Sequence, residues 1–220
     1  SAWITGSVTN ANDLVTSGAV SVVTYGSAFT IPVDYPPTIA GTFTTSGALT
    51  DKTNILPFAN LTVSDVDSVT GKVTITYNAA NGSLNGTGLS GTAGNYVLEL
   101  STTSLTTLNT ELRALVFTPT ENQIVPNSTV QTTFTLTPGD GVRDGRANTA
   151  TNAIATSIND APSINNNSSA ASATANAAEN QTAVMTFTTA DPDVGQTITY
   201  SKSGADAALF TIHPTTGVLT

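Results

Sequence analysis

The sequence predicts an all-β protein built of tandem antiparallel β-sandwich modules, and three observations predict it. Charged residues make up only 10% of the 220 residues and hydrophobic ones 39%. The polar surface must therefore come from Thr, Ser and Asn, of which Thr favours strands while Asn, with Gly, favours turns. Apolar side chains also alternate with period two, the pattern of strands with one face buried. Finally, the punctuation recurs. Pro-Thr-Ile at 37–39 and Pro-Ser-Ile at 162–164 lie 125 residues apart, Asp-Val-Asp at 65–67 and Asp-Pro-Asp at 191–193 lie 126 apart, and Ile-Thr-Tyr occurs at 75–77 and again at 198–200. Such spacing sets boundaries near residues 36 and 161.

Taken in order, residues 1–35 read as the closing strands of a preceding module. "VSVVTYG" and "AFTIPV" place Val23 and Tyr25, then Phe29, Ile31 and Val33, on common faces. Residues 36–161 read as one complete module. Within it Val73, Ile75 and Tyr77 share a strand face, as do Phe134 and Leu136, and turn clusters fall at 78–88 and 137–145. One short helix interrupts the strands: Leu105, Leu108 and Leu112 recur at helical intervals behind a Ser104 cap, just before the strand "LVFTP". Residues 162–220 read as the first half of a further module, with Met185, Phe187, Ile198, Tyr200, Phe210 and Ile212 facing inward and a turn at 213–217.

Charge narrows the function. Six basic residues stand against 15 acidic ones, a net charge of −9, which repels nucleic-acid phosphates and anionic membrane surfaces. No apolar run approaches the ~20 residues of a membrane span, so membrane insertion is not expected. The opening "SAWITGSVTN" lacks the basic and apolar regions of a signal peptide, which predicts that a leader was removed or that the chain is a piece of something larger. There is no cysteine, and hence no disulfide or thiolate site. The single histidine, His213, lies in the turn "IHPTTG" without partners at catalytic spacing. The carboxylate pairs fall at module boundaries and not across an aromatic-lined groove, so no enzyme is expected. Asp140 and Asp144 in "PGDGVRDG" read as a hairpin loop.

The boundary "SINDAPSI" at 157–164 is built to be stiff. Pro162 fixes its own φ and pushes Ala161 towards an extended conformation. An Asp-x-Asp loop aims two carboxylates at one point, where a calcium ion taking six to eight oxygens is completed by backbone carbonyls. The repetition of this arrangement at both boundaries points to calcium.

Residues 178–220 resemble the first half of a cadherin-type repeat. Glu179-Asn180, the Asp191/Asp193 pair, the "ITYS" strand and the "ALFTI…TTGVLT" hairpin follow one another in the expected order. Residues 36–164, with "LRALVFTPTENQ" and "TTFTLTPGDG" leading into "SINDAPSI", are similar to the longer Ig-like repeats of large secreted bacterial surface proteins and adhesins. This resemblance implies a bound Ca2+ at each junction, one held by Asn159, Asp160, Asp191 and Asp193 and the other by Asp34, Asp65 and Asp67, with Glu179 serving a junction further on. The sequence departs from the family pattern at Ser157 and Tyr35, each standing where the family has Asp, and in residues 36–161, where Glu111 is the one candidate for the family's mid-repeat Asp-x-Glu and the match is not clear.

The expected function is therefore that of an extracellular structural or adhesive protein at the bacterial cell surface, a calcium-stiffened stalk, surface layer or fibre subunit. The alternative is an accessory carbohydrate- or protein-binding module of a secreted enzyme. The expected partners are neighbouring modules or copies of the same chain, joined either as a longer tandem array or by head-to-tail strand addition.

Overall fold

Alternating Thr and apolar residues do assemble into ladders, and every named strand pair is antiparallel. The computed structural model describes residues 2–6, 29–43, 49–166 and 174–220; the segment "VSVVTYG", with Val23 and Tyr25, lies outside them. β1 (Ala2–Gly6) pairs with β2 (Phe29–Val33), as expected for "AFTIPV". After the linker at 34–37, β3 (Thr38–Ala40) pairs with β4 (Thr62–Ser64). Then come β5 (Thr70–Thr76), β6 (Gly82–Asn85), β7 (Leu89–Thr92), β8 (Asn95–Ser104), helix α1 (Leu105–Ala114), β9 (Val116–Pro119), β10 (Thr129–Gly139) and β11 (Asn148–Thr156).

β11, β10, β5, β8 and β7 lie side by side in that order as one five-stranded sheet. β10 divides its length between two partners. Thr129 to Phe134 and Leu136 pair with β11, Thr135 to Gly139 pair with β5, and the ladder with β11 shifts register between Phe134 and Leu136. β6 pairs with β9. Val73, Ile75, Leu98, Phe134 and Leu136 on the sheet are fully buried against Phe58, Leu61 and Phe117. Three phenylalanines form the centre: Phe134 meets Phe58 at 5.2 Å between ring centroids and Phe117 at 5.1 Å, both edge to face, the geometry that the ring quadrupoles favour.

Helix α1 begins where its cap predicts, with the Ser104 hydroxyl accepting from the Thr107 N–H. Its leucine stripe is the reason it sits where it does, for Leu108 and Leu112 are fully buried in the same core. The opposite edge of β4 is finished by helix side chains. Asn109 accepts from the Val63 N–H at 2.7 Å and donates to the Val63 carbonyl at 2.9 Å, while Arg113 Nε donates to the Leu61 carbonyl at 2.8 Å.

Beyond residue 161 the ladders are short: β12 (Ser163–Ile164) pairs with β14 (Thr189–Ala190), and β13 (Met185–Thr186) with β15 (Val218–Leu219). No apolar side chain of residues 174–220 reaches full burial. The stretch "TITYSKS" differs from its expectation, because residues 197–203 join no ladder among the described residues. Alternation alone does not make a strand, which needs a neighbour for its N–H and C=O groups. His213 closes its turn structurally, its Nδ1 accepting from the N–H groups of Thr215 and Thr216. Among the described residues the protein is mostly β, with several antiparallel sheets and one α-helix.

Candidate functional site

Both Pro-containing linkers are gripped in the same way. β4 delivers the chain into Asp65-Val66-Asp67, where Asp65 Oδ1 accepts from the N–H groups of Asp67 at 3.2 Å and Ser68 at 3.4 Å. Asp67 Oδ2 then accepts from the Tyr35 N–H of the linker at 2.9 Å. The second linker repeats two of these three bonds on corresponding atoms. Asp191 Oδ1 accepts from the Asp193 N–H at 2.9 Å, and Asp193 Oδ2 accepts from the Asp160 N–H at 2.6 Å. The flanking ladders match too, Thr38↔Ser64 in one and Ser163↔Ala190 in the other. The linker residues are offset by 125 and the acidic pairs by 126, so the repetition seen in the sequence is one of hydrogen-bond geometry.

At the first linker a fourth carboxylate joins. Asp140, at the tip of the β10–β11 hairpin, uses Oδ1 to accept from the N–H groups of Val142 and Arg143, both at 2.7 Å, as a hairpin aspartate does. Asp140 Oδ2, Asp34 Oδ2, Asp65 Oδ2 and Asp67 Oδ1 are all buried and accept no hydrogen bond. Burial and the neighbouring charges of Asp140, Asp67 and Asp65 push the Asp34 carboxyl up, opposed by Arg143, whose Nε stands 3.4 Å from Asp34 Oδ2. The Tyr35 N–H holds Asp67 below the usual carboxylate range. The hairpin is pinned against the linker by a close approach: a Cβ on Gly145 would lie 1.8 Å from the Pro37 carbonyl oxygen.

The second linker has its own cation. Lys52 forms an ion pair with Asp160 Oδ1, which holds Asp160 below the usual range and raises Lys52. Asp51 lies beneath, only 3% exposed, accepting from the N–H groups of Asn122 at 3.1 Å and Ile158 at 3.3 Å. Asn159 donates to the Asp160 carbonyl and accepts from Gln196. Asp193 is 5% exposed, with Oδ1 buried and unpartnered.

Of the residues singled out from sequence, Asp34, Asp65 and Asp67 come together, as do Asn159, Asp160, Asp191 and Asp193. Glu179 lies in an exposed turn with no hydrogen bond or ion pair among the described residues. Asp140, Arg143, Lys52 and Asp51 were not legible as members of these groups. Among the described residues no group of three or more His, Cys, Asp or Glu side chains stands in a metal-holding arrangement; several of the aspartate oxygens are engaged by backbone N–H groups instead. The chain matches no protein-family model and no curated protein.

Proposed function

We propose that this chain is part of an extracellular structural protein, a calcium-stiffened array of β-sandwich modules serving as a stalk, surface layer or fibre subunit. One observation carries the reading: Asp34, Asp65, Asp67 and Asp140 each keep a buried carboxylate oxygen that accepts no hydrogen bond, and the charges of the other three bear on Asp34 with only Arg143 to oppose them. Buried carboxylate oxygens are normally hydrogen-bonded, and unpartnered ones beside a raised Asp34 suit a divalent cation. Asp34, Asp65, Asp67 and Asp140 are the residues that would hold it. At the second linker Asp191, Asp193 and Asn159 are the candidates, since Asp160 is already neutralised by Lys52. A bound calcium ion would supply the charge that lets these carboxylates stay close.

The chain's own residues set what that closeness does. Asp67 and Asp193 hold linker N–H groups, so any force that fixes these carboxylates fixes the angle between successive modules. Loosely held calcium suits an extracellular setting, where such modules bind at roughly 10⁻⁴ to 10⁻³ M. At ~10 Kd of free ion one site adds about 1.4 kcal/mol. Melting in millimolar calcium and in chelator tests this: a rise in Tm that Asp65→Asn with Asp67→Asn abolishes is expected, and a curve indifferent to calcium overturns the reading.

A further inference from the structure

β11 is an edge of the five-stranded sheet, and the chain covers that edge itself. The Asn148 side chain donates to the Gly41 carbonyl at 3.2 Å, and the Asn152 N–H to the Phe43 carbonyl at 2.7 Å. Further along, the Thr156 N–H donates to the Leu49 carbonyl and the Asp51 N–H to the Thr156 carbonyl, both at 3.0 Å, so that Thr50 and Thr156 form a parallel bridge. Residue numbers rise together on both sides. The grip then continues past β11 into the second linker, where Asp51 Oδ1 accepts from the Ile158 N–H at 3.3 Å and Lys52 pairs with Asp160. Covering an edge protects it from stray pairing, but that purpose does not require these two extra contacts or a parallel direction.

The direction matters because of where the linkers lie. The first stands beside Asp140, at the C-terminal end of β10. The second starts beside Ser128, next to the N-terminal end of the same strand. Eleven residues of strand separate these ends by roughly 33 Å, so tension applied through both linkers acts along the strands. It draws residues 49–52 back towards the first linker and β11 towards the second. Two parallel neighbours are then pulled in opposite directions along one line, and their bonds are loaded side by side and must fail together. A hairpin pulled apart at its open end loses its bonds one after another instead.

We infer that residues 49–52 and 156–160 form a shear clamp that carries tension from one linker to the other, with Asp51 and Lys52 locking its exit end. The use of such a clamp rests on the reading of this chain as part of a stalk or fibre. The clamp itself is made of the chain's own groups and needs no ion.

Single-molecule pulling of the 220-residue chain tests this, since forced unfolding reads the unfolding barrier and not the equilibrium stability. The chain has no cysteine, so handles attach only where one is introduced. Ala161→Cys is common to two arrangements, each using exposed positions. Combined with Tyr35→Cys it loads the clamp in shear; combined with Thr129→Cys, at the same end of the sheet, it unzips β11 from β10. The unfolding force is expected to be several-fold higher in the first arrangement than in the second. Lys52→Gln is expected to lower the shear force and to leave the unzipping force as it was, because there the bonds break singly and the remaining ones set the force. Equal forces in the two arrangements, or a shear force that Lys52→Gln does not change, overturn the proposal. Repeating the pulls in chelator separates it from the calcium reading. A directional difference that appears only in calcium overturns the clamp and leaves that reading in place, whereas one that persists in chelator while melting is indifferent to calcium overturns the calcium reading alone.

Discussion

Asp140 divides its two oxygens between a turn and a cluster: one closes the hairpin, the other is buried beside Asp34. Asp140→Asn therefore has opposite effects in two conditions. In chelator it removes a like charge facing Asp34, so Tm rises; in calcium it removes an oxygen ligand, so the calcium-dependent rise shrinks. The same carboxylates give a two-phase acid profile. Asp34 is raised, so its ionised form costs stability at neutral pH and that cost is relieved as pH falls through the raised value. Asp67 and Asp160 are lowered, so their stabilisation is present above the ordinary aspartate value and is lost as pH falls through their lowered values. Melting in chelator from pH 7 to pH 3 is expected to show a gain and then a loss, the gain missing in Asp34→Asn. The Asp-x-Asp loops were legible from their spacing. The second role of Asp140 was not, because the same residues also spell an ordinary hairpin.

Helix α1 acts on the elements around it in two ways, and variants separate them. Leu112 is fully buried in the core, so Leu112→Ala is expected to cost about 2–5 kcal/mol in urea unfolding. Asn109→Ala leaves the Val63 N–H and C=O without their partners, at a cost of about 1–3 kcal/mol. Asn109→Asp, retaining the acceptor alone, is expected to fall between wild type and Asn109→Ala. The leucine spacing and the Ser104 cap made the helix readable, since both are local. Its use as the neighbour of β4 was not, because Asn109 meets Val63 across 46 residues.

Residues 174–220 hold no fully buried apolar side chain, whereas the central sheet buries many. Small-angle scattering of the chain at low concentration is expected to give a radius of gyration well above the ~17 Å of a compact 220-residue domain. A value near 17 Å would mean that the two linkers fold their flanking segments back on the central sheet.

What the sequence by itself determined is what depends on neighbours along the chain. Strand alternation at Val73 and Ile75, the capped helix, the turns and the 125-residue recurrence of the linkers are all set by residues a few positions apart, or by direct repetition. Only the tertiary structure decided which charges meet. Asp34 stands near Asp140 and Lys52 pairs with Asp160 because β10 and its hairpin bring distant loops to the two ends of one sheet. It also decided that two copies of Ile-Thr-Tyr have different fates. Ile75 is flanked by β10 and β8, whereas Ile198 joins no ladder among the described residues, and a strand is a relation between segments that no single segment encodes.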